Sequence, residues 1–281
     1  MGFRIMTNTT SVTGQRHMRN TRRMLDQSLE RLSSGFRVNK AGDDAAGLAI
    51  SEKLRAKIRG LNQASRNAND GISLVQTAEG GLNEVHNILI RMRELGVQAA
   101  SDTIGPKERG YLDQEYQHLK DEVDRIANST EFNGTQLLDG TGGILDIQIN
   151  TGGDNLLGVD RISFDAFKAD ANIDKLGVAE LTISNKLGAQ ASLSAIDTAI
   201  DYVSAIRGDF GALQNRLAST INNLGISVEN LSAANSRIRD VDIAEETSEL
   251  TRNNILMQSG TSVLAQANSV PRMALQLLQN Q

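Results

Sequence analysis

The sequence of 281 residues contains no cysteine and no tryptophan, two prolines, and few aromatic side chains. The absence of cysteine excludes disulfides, thiolate metal sites and cysteine nucleophiles. It does not fix the compartment, because an exported protein can do without disulfides. Since aromatic residues make up 3% of the chain, leucine, isoleucine, valine and alanine must form the core. Such a composition favours long helices over a β-sandwich.

Long apolar runs are also missing. Residues 1–17 lack the apolar core of a signal peptide, and no segment approaches the roughly 18 apolar residues of a membrane-spanning helix. We therefore expect no membrane insertion and no export by the general secretory route. Residues 1–17 are also polar and show no periodicity, so we expect this end to be mobile.

The net charge of −5 hides an uneven distribution. Residues 1–60 hold 12 Lys and Arg against 5 Asp and Glu, whereas the remainder holds 17 against 29. A basic arm is a feature of many nucleic-acid-binding proteins. Here the arginines are spread around helical turns without interleaved aromatic residues, and an acidic segment at residues 240–249 is available as a partner. The sequence therefore predicts no nucleic-acid binding.

Hydrophobic residues at helical spacing fill both ends of the chain. Residues 18–34 carry a seven-residue repeat, and residues 75–99 alternate steps of three and four without a slip, as in a coiled coil. A loop predicted at residues 101–110 is short enough to place the helices on either side of it antiparallel. An amphipathic tail runs from residue 243 to the end of the chain. One amphipathic helix cannot bury its own stripe, so we expect the two ends to pair with each other and then with other subunits.

The middle of the chain, about residues 130–188, has a different pattern. Apolar and polar residues alternate at 145–149, which is the period of a half-buried strand. Residues 159–164 are expected to form the return strand, and residues 179–184 are a third candidate. Helix is expected again from Ala189. The predicted fold is mainly α, a long coiled-coil-like bundle of the N- and C-terminal segments with a small β-hairpin patch in the middle.

The helical pattern is interrupted at residues 32–51, LSSGFRVNKAGDDAAGLAIS. Gly35 and Gly42 permit backbone angles that other residues avoid. Asp43 and Asp44 precede the next helical pattern, so one is expected to cap that helix and both suit its positive end. The stretch has neither the G-x-x-x-x-G-K-[ST] order of a phosphate loop nor the alternating aspartates of a calcium loop. We interpret these four residues as a structural joint between two helical segments.

The same stretch resembles the N-terminal signature of bacterial flagellin. Residues 233–281 resemble the C-terminal signature of that family, with an S-R-I-x-D-x-D-x-A-x-E run and a Q-[AS]-G-x-S-x-L-x-Q-A-N run. The R-M-R-E-L-x-V-Q-A-A segment at 91–100 is also similar, so the resemblance covers about residues 1–140 and 190–281. Met6, where family members usually have Asn, and the pair Arg22 and Arg23 depart from the pattern. The short centre resembles a minimal flagellin without large variable domains.

The resemblance implies a two-domain arrangement and a structural function. Residues 1–44 and 236–281 would form an inner core domain of paired terminal helices. Residues 45–235 would form an outer core domain that contains the helical bundle and the β patch. The chain would polymerise into the extracellular flagellar filament used for swimming. The alternative is a hook–filament junction or adaptor protein, a group that matches the 32–51 stretch less closely.

The resemblance also implies partners. They are further copies of the chain, the filament cap and hook-junction proteins, and an export chaperone that holds the C-terminal segment. Export would occur without cleavage of a signal peptide. On the coiled-coil interpretation, six leucines are expected to become buried on assembly: Leu25, Leu29, Leu32, Leu264, Leu275 and Leu278.

A further implication concerns the animal immune receptor Toll-like receptor 5. In the family, this receptor contacts an arginine and a leucine on the R-x-R-E-L helix and a glutamate on the next helix, which here correspond to Arg91, Leu95 and Glu115. Antiparallel packing would place Glu115 on the same face as Arg91. The alternative is a surface ion pair between Arg91 and Glu115 with Leu95 in the core. Ile90 and Gly96 depart from the usual Gln and Ala.

No residue pattern indicates catalysis. The three histidines lie in unrelated polar contexts, without an H-E-x-x-H or G-x-S-x-G motif. The adjacent pairs Asp43–Asp44 and Glu245–Glu246 point to different sides of a helix, so neither can share a proton as a catalytic dyad does. We therefore expect no enzyme activity, no cofactor and no metal site.

Overall fold

Long helices dominate the computed structural model, which describes the backbone of residues 7–152 and 160–279, with side chains as far as residue 270. The helices are α1 (Thr9–Ser34), α2 (Ala45–Ala100), α3 (Pro106–Ser129), α4 (Lys186–Arg239) and α5 (Ile243–Gln279). The strands are β1 (Glu131–Phe132), β2 (Thr135–Gln136), β3 (Ile144–Gln148) and β4 (Arg161–Asp165). The chain divides into a first unit, Met1–Ala56 with Asn230–Gln281, and a second unit, Lys57–Glu229.

The first unit contains a pair of terminal helices. α1 packs along α5, as the two amphipathic ends predicted. Residues 9–17, whose sequence shows no periodicity, form the first turns of α1. The mobility expected for this end stays a prediction. Asn8 caps this helix by accepting the N–H of Ser11 at 3.1 Å, and its amide donates to the carbonyl of Ala267 at 2.8 Å. The polar sequence forms a helix here because α5 lies beside it and supplies partners.

The second unit is built around α2, which is one continuous helix from Ala45 to Ala100. Every residue of the predicted stripe is buried: Val75, Ala78, Leu82, Val85, Leu89, Met92, Gly96 and Ala99. The alternating three-four spacing keeps these side chains on one face of the helix. The core also takes buried side chains from α3, α4 and the loop regions, including Tyr116, Val123, Ile196 and Val203.

α3 runs antiparallel to α2, as the short loop predicted. Arg109 near the start of α3 donates to the carbonyl of Ala99 at 2.7 Å and to that of Ser101 at 2.8 Å. The helix begins at Pro106, four residues before the end of the predicted loop. Proline suits the first turn of a helix because the N–H that it lacks would have no partner there.

Two antiparallel hairpins form the β patch. β3 pairs with β4 in a register that places Leu145 opposite Phe164, so the predicted strand and its return strand are both present. Of the predicted return strand, Val159 lies outside the described residues. The hairpin of β1 and β2 was not predicted. Its turn consists of Asn133 and Gly134, both with positive φ. The Asn-Gly sequence is typical of such a two-residue turn and could have predicted this hairpin.

The prediction of a third strand at Ala179–Ser184 was wrong, because this segment is irregular. Its backbone is bonded to side chains of α3 in place of a neighbouring strand. The N–H of Ile183 donates to Asp113 Oδ1 at 2.7 Å, and the ammonium of Lys120 donates to the carbonyls of Ala179 and Leu181. α4 then begins at Lys186 instead of Ala189, because Asn185 accepts the N–H of Gly188 at 2.7 Å and caps it.

Candidate functional site

The joint begins where α1 ends. Gly35 has a φ of +74°, and its N–H donates to the carbonyl of Arg31 at 2.9 Å. A side chain is strained in this left-handed conformation, so glycine is the residue that ends the helix with least cost. Gly42 has no positive φ, and a Cβ added there would meet open space. Nothing in the structure explains glycine at that position.

Asp43 and Asp44 have different roles in the joint. Asp43 Oδ2 accepts the N–H of Lys40 at 3.0 Å and that of Asn39 at 3.1 Å, and these bonds lower the pKa of the Asp43 carboxyl below its ordinary value. Asp44 Oδ1 accepts the N–H of Gly47 at 2.8 Å and caps α2. A Cβ on Gly47 would lie 2.3 Å from Asp44 Oδ2. A side chain at position 47 would therefore require the Asp44 carboxylate to shift.

The end of α4 and the residues that follow it contact the joint from the other side. The N–H of Val241 donates to the carbonyl of Gly35 at 3.0 Å. The guanidinium of Arg239 lies 4.7 Å from the centre of the Phe36 ring and 2.6 Å from Glu52 Oε1. The hydrogen bond from Arg239 lowers the pKa of Glu52. Phe36 and Arg239 were not predicted as joint residues. The available indication was that each lies inside one of the two terminal signatures, residues 32–51 and 233–281.

The six leucines predicted for assembly lie on the paired helices α1 and α5. Three are half-buried, namely Leu25, Leu32 and Leu264. Leu29 is 49% exposed. Leu275 and Leu278 belong to α5, but their side chains lie outside the described residues.

The helix pair leaves more apolar surface uncovered than these leucines account for. Among the described residues of the first unit, Val38 is the only hydrophobic side chain that is buried. Large hydrophobic side chains that are exposed and were not predicted include Val12, Met24, Ile243, Ile255, Leu256 and Val263. The first unit therefore has almost no core of its own and carries an apolar surface along both helices.

The three residues implied for receptor recognition are only partly brought together. Arg91 Nη2 lies 2.9 Å from Glu115 Oε1, and Arg91 Nη1 lies 2.9 Å from Glu94 Oε2. Bonds to Glu94 and Glu115 raise the pKa of Arg91. Arg91 and Glu115 are both about half exposed, so their pair contributes little to stability. Leu95 is 1% exposed and belongs to the core of the second unit.

The described residues offer little for chemistry. Within residues 7–152 and 160–279, no group of three His, Cys, Asp or Glu side chains could hold a metal ion. No helix in that part of the chain is both long and apolar enough to cross a membrane. The features that stand out are the joint and the uncovered surface of α1 and α5.

Two sequence profiles match most of the chain. The bacterial flagellin N-terminal helical region matches residues 5–142, and the bacterial flagellin C-terminal helical region matches residues 193–278. The chain belongs to the bacterial flagellin family. A flagellin from Halalkalibacterium halodurans is 50% identical over 90% of this chain and 91% of its own length. A flagellin from Bacillus subtilis is 47% identical over 90% of this chain and 92% of its own length.

A solved flagellin structure also matches. The crystal structure of Bacillus cereus flagellin has 34% sequence identity and a TM-score of 0.50, and the match covers 60% of this chain and 94% of that one. As a flagellin, the chain is a structural subunit of the flagellar filament, and the alternative of a hook–filament adaptor is not favoured. The first profile contains the 32–51 signature and the second contains residues 233–278 of the other signature, so the joint and most of the α1/α5 pair lie in the matched part.

Proposed function

We propose that this flagellin polymerises through the surface that α1 and α5 leave uncovered. Residues 1–44 and 236–281 form the inner wall of the filament, and residues 45–235 form its outer layer with the β patch outward. The supporting observation is a helix pair that exposes large apolar side chains and, among its described residues, buries no hydrophobic side chain. The role is structural, with no catalytic step.

The energetics explain why copies associate. Complete burial of a Leu, Ile or Val side chain contributes about 1.5–3 kcal/mol. Nine large hydrophobic side chains of the first unit are between 38% and 66% exposed, so each retains part of that free energy for association. A contact that does not close on itself repeats in every copy and produces an open helical fibre.

The same imbalance predicts that the terminal helices are weakly ordered in the free chain. Ordering backbone costs about 1–2 kcal/mol per residue, and one buried hydrophobic side chain does not offset that cost for two long helices. Limited proteolysis of the dilute monomer is expected to remove both ends and to leave a resistant fragment that retains residues 57–229. The polymer should resist the same protease at both ends. Equal protection of the ends in the monomer would contradict this prediction.

Seeded elongation tests the proposed function directly. Purified chain added to short filament seeds should extend them to filament length, as observed by negative-stain electron microscopy. An adaptor would add a single layer to a seed and stop. Failure of the wild-type chain to extend seeds of its own filament would refute the proposal.

Export and partners belong to the same proposal. The chain leaves the cell without cleavage of a signal peptide, and a chaperone holds the exposed apolar face of α5 until export. The filament cap and the hook-junction proteins contact the two ends of the polymer through the same helix pair. Mass spectrometry of extracellular filaments should find the N-terminal peptide intact, and a removed segment would contradict this route.

Recognition by Toll-like receptor 5 is a second proposal, and the exposed pair of Arg91 and Glu115 supports it. Receptor-reporter cells exposed to monomer should respond, and Arg91→Ala and Glu115→Ala should each lower the response by about tenfold, since arginine often dominates interface energetics. Lys107→Ala, at an exposed position of α3, is the matched control. Because Leu95 is buried, Leu95→Ala should act through stability, which thermal unfolding would report. An unchanged response of both charge variants would remove the proposal.

A further inference from the structure

Charge is distributed very unevenly along the first unit. Residues 1–25 and 250–281 contain seven arginines and no acidic residue. The remaining segments, residues 26–56 and 230–249, contain ten Asp and Glu against seven Lys and Arg. One part of the unit is therefore purely basic, whereas the other has an acidic surplus.

The packing of α1 on α5 keeps these parts separate. The helices are antiparallel, because Arg31 Nη1 lies 3.4 Å from Glu246 while Asn8 bonds to Ala267. Arg19 precedes Arg31 by twelve residues, which corresponds to about 18 Å along α1. That distance exceeds the Debye length of about 8 Å at physiological ionic strength. Arg19 therefore lies beside the acid-free part of α5, and its attraction to the acidic part is largely screened.

The arginine patch consists of four exposed side chains, Arg16, Arg19, Arg22 and Arg23. In the described part of the chain, the first three make no side-chain hydrogen bond or ion pair, and Arg23 donates only to the amide oxygen of Asn20. Asp26, the first acidic residue of α1, bonds to none of them. Among the described residues the patch thus has no direct ion pair, and Asp26 is the one acidic side chain within a helical turn of Arg22 and Arg23.

The acidic groove lies at the other part of the unit, between α1, the joint and α5. It has a volume of about 310 Å³, and its carboxylates come from Asp242, Glu245, Glu246 and Glu249. Arg31 and Arg37 also line it, so four carboxylates face two guanidiniums.

Some of the polar groups in the acidic groove have no partner. Glu246 pairs with Arg31, and Glu249 pairs with Arg252 at 2.7 Å. Among the described residues, Glu245 has no side-chain partner. Asn253 lines the groove, is 4% exposed, and makes no side-chain hydrogen bond within the described chain. The amide oxygen of Asn253 is therefore available to a donor that enters the groove from outside.

We propose that the arginine patch of one copy binds the acidic groove of a second copy and thereby sets the axial register of the polymer. This inference rests on the proposed function, since it requires polymerisation. A guanidinium can bond to two carboxylate oxygens at once, and it can also donate to the Asn253 amide oxygen. The apolar surface drives association, and the charged contact determines which offset between two copies is allowed.

Reciprocal charge reversal tests the contact in seeded elongation at low salt. The variants are Arg19→Glu with Arg22→Glu, Glu245→Arg with Glu249→Arg, and the combination of all four. Each pair of reversals should slow elongation by about tenfold or more, because charge steering of this kind changes association rates by 10-fold to 1000-fold. The combined variant should recover most of the wild-type rate, and added salt should reduce the differences. Lys175→Glu, an exposed cation of the second unit, is the control and should elongate as wild type.

The outcomes separate this inference from the proposed function. If the wild type does not elongate, the proposed function fails. If the wild type elongates and either reversed pair matches its rate, or the combined variant is no faster than the slower pair, the charged contact is refuted. Circular dichroism checks that each variant remains helical, and Arg19→Gln with Arg22→Gln gives a milder change that should slow elongation about threefold. Arginine reversal that leaves elongation unchanged and abolishes binding to a DNA duplex or to anionic vesicles would assign the patch to another partner.

Discussion

Leu29→Asp is expected to abolish seeded elongation while leaving the second unit folded. Leu29 is 49% exposed on α1, so in the free chain an aspartate at this position remains hydrated. In the polymer the same position is expected to be buried against another copy, where an unpaired carboxylate costs several kcal/mol. Because the contact repeats in every copy, a loss of this size should reduce filament formation below detection. Electron microscopy of seeded samples measures the effect.

The matched control for this change is Leu187→Asp. Leu187 is 79% exposed in the second unit, at the start of α4, and is not among the residues predicted for assembly. This variant should elongate at close to the wild-type rate, and both variants should retain the helical circular dichroism of the wild type. Normal filaments from Leu29→Asp would refute the assignment of this face of α1 to assembly.

Leu89→Ala is expected to destabilise the second unit by about 2–5 kcal/mol. Leu89 is fully buried in the stripe of α2, so its truncation removes apolar contacts and leaves a cavity. For a unit of this size, a loss of that magnitude should lower the unfolding temperature by roughly 5–15 °C. Thermal unfolding of the monomer, followed by circular dichroism, measures the shift.

The neighbouring residue provides the control for this prediction. Ile90 is 41% exposed on the same helix turn, so Ile90→Ala removes less buried surface and should change stability by less than about 1 kcal/mol. Alanine also favours helix slightly more than isoleucine does. Equal shifts for Leu89→Ala and Ile90→Ala would show that burial on α2 does not follow the predicted stripe.

The helices and the main core could be predicted from the sequence because both depend on local spacing. Residues 75–99 carry an unbroken three-four repeat, and a helix with that repeat places all of these side chains on one side. The cap of α2 at Asp44 could be predicted for the same reason, since a cap involves groups only three residues apart. The β3–β4 hairpin followed from strict alternation of apolar and polar residues.

Other features depend on partners that are distant in the sequence. Residues 179–184 have the composition of a strand, but their carbonyls and amides bond to side chains of α3 about 60 to 70 residues earlier. Residues 9–17 have no periodicity, but they belong to α1, which packs on α5 from the other end of the sequence. No local pattern reports whether such a partner is present.

The sequence by itself determined that this chain is helical at both ends, that a joint interrupts it near Gly35, and that it resembles flagellin. The tertiary structure alone decided which groups meet in that joint, where Arg239 lies over Phe36 and bonds to Glu52. It also decided how far the covered face of α2 extends, since Leu95 is buried while Arg91, one turn earlier on the same side, is half exposed. The physical reason is that spacing fixes which residues share a face, whereas only the packing of other elements fixes which face is covered.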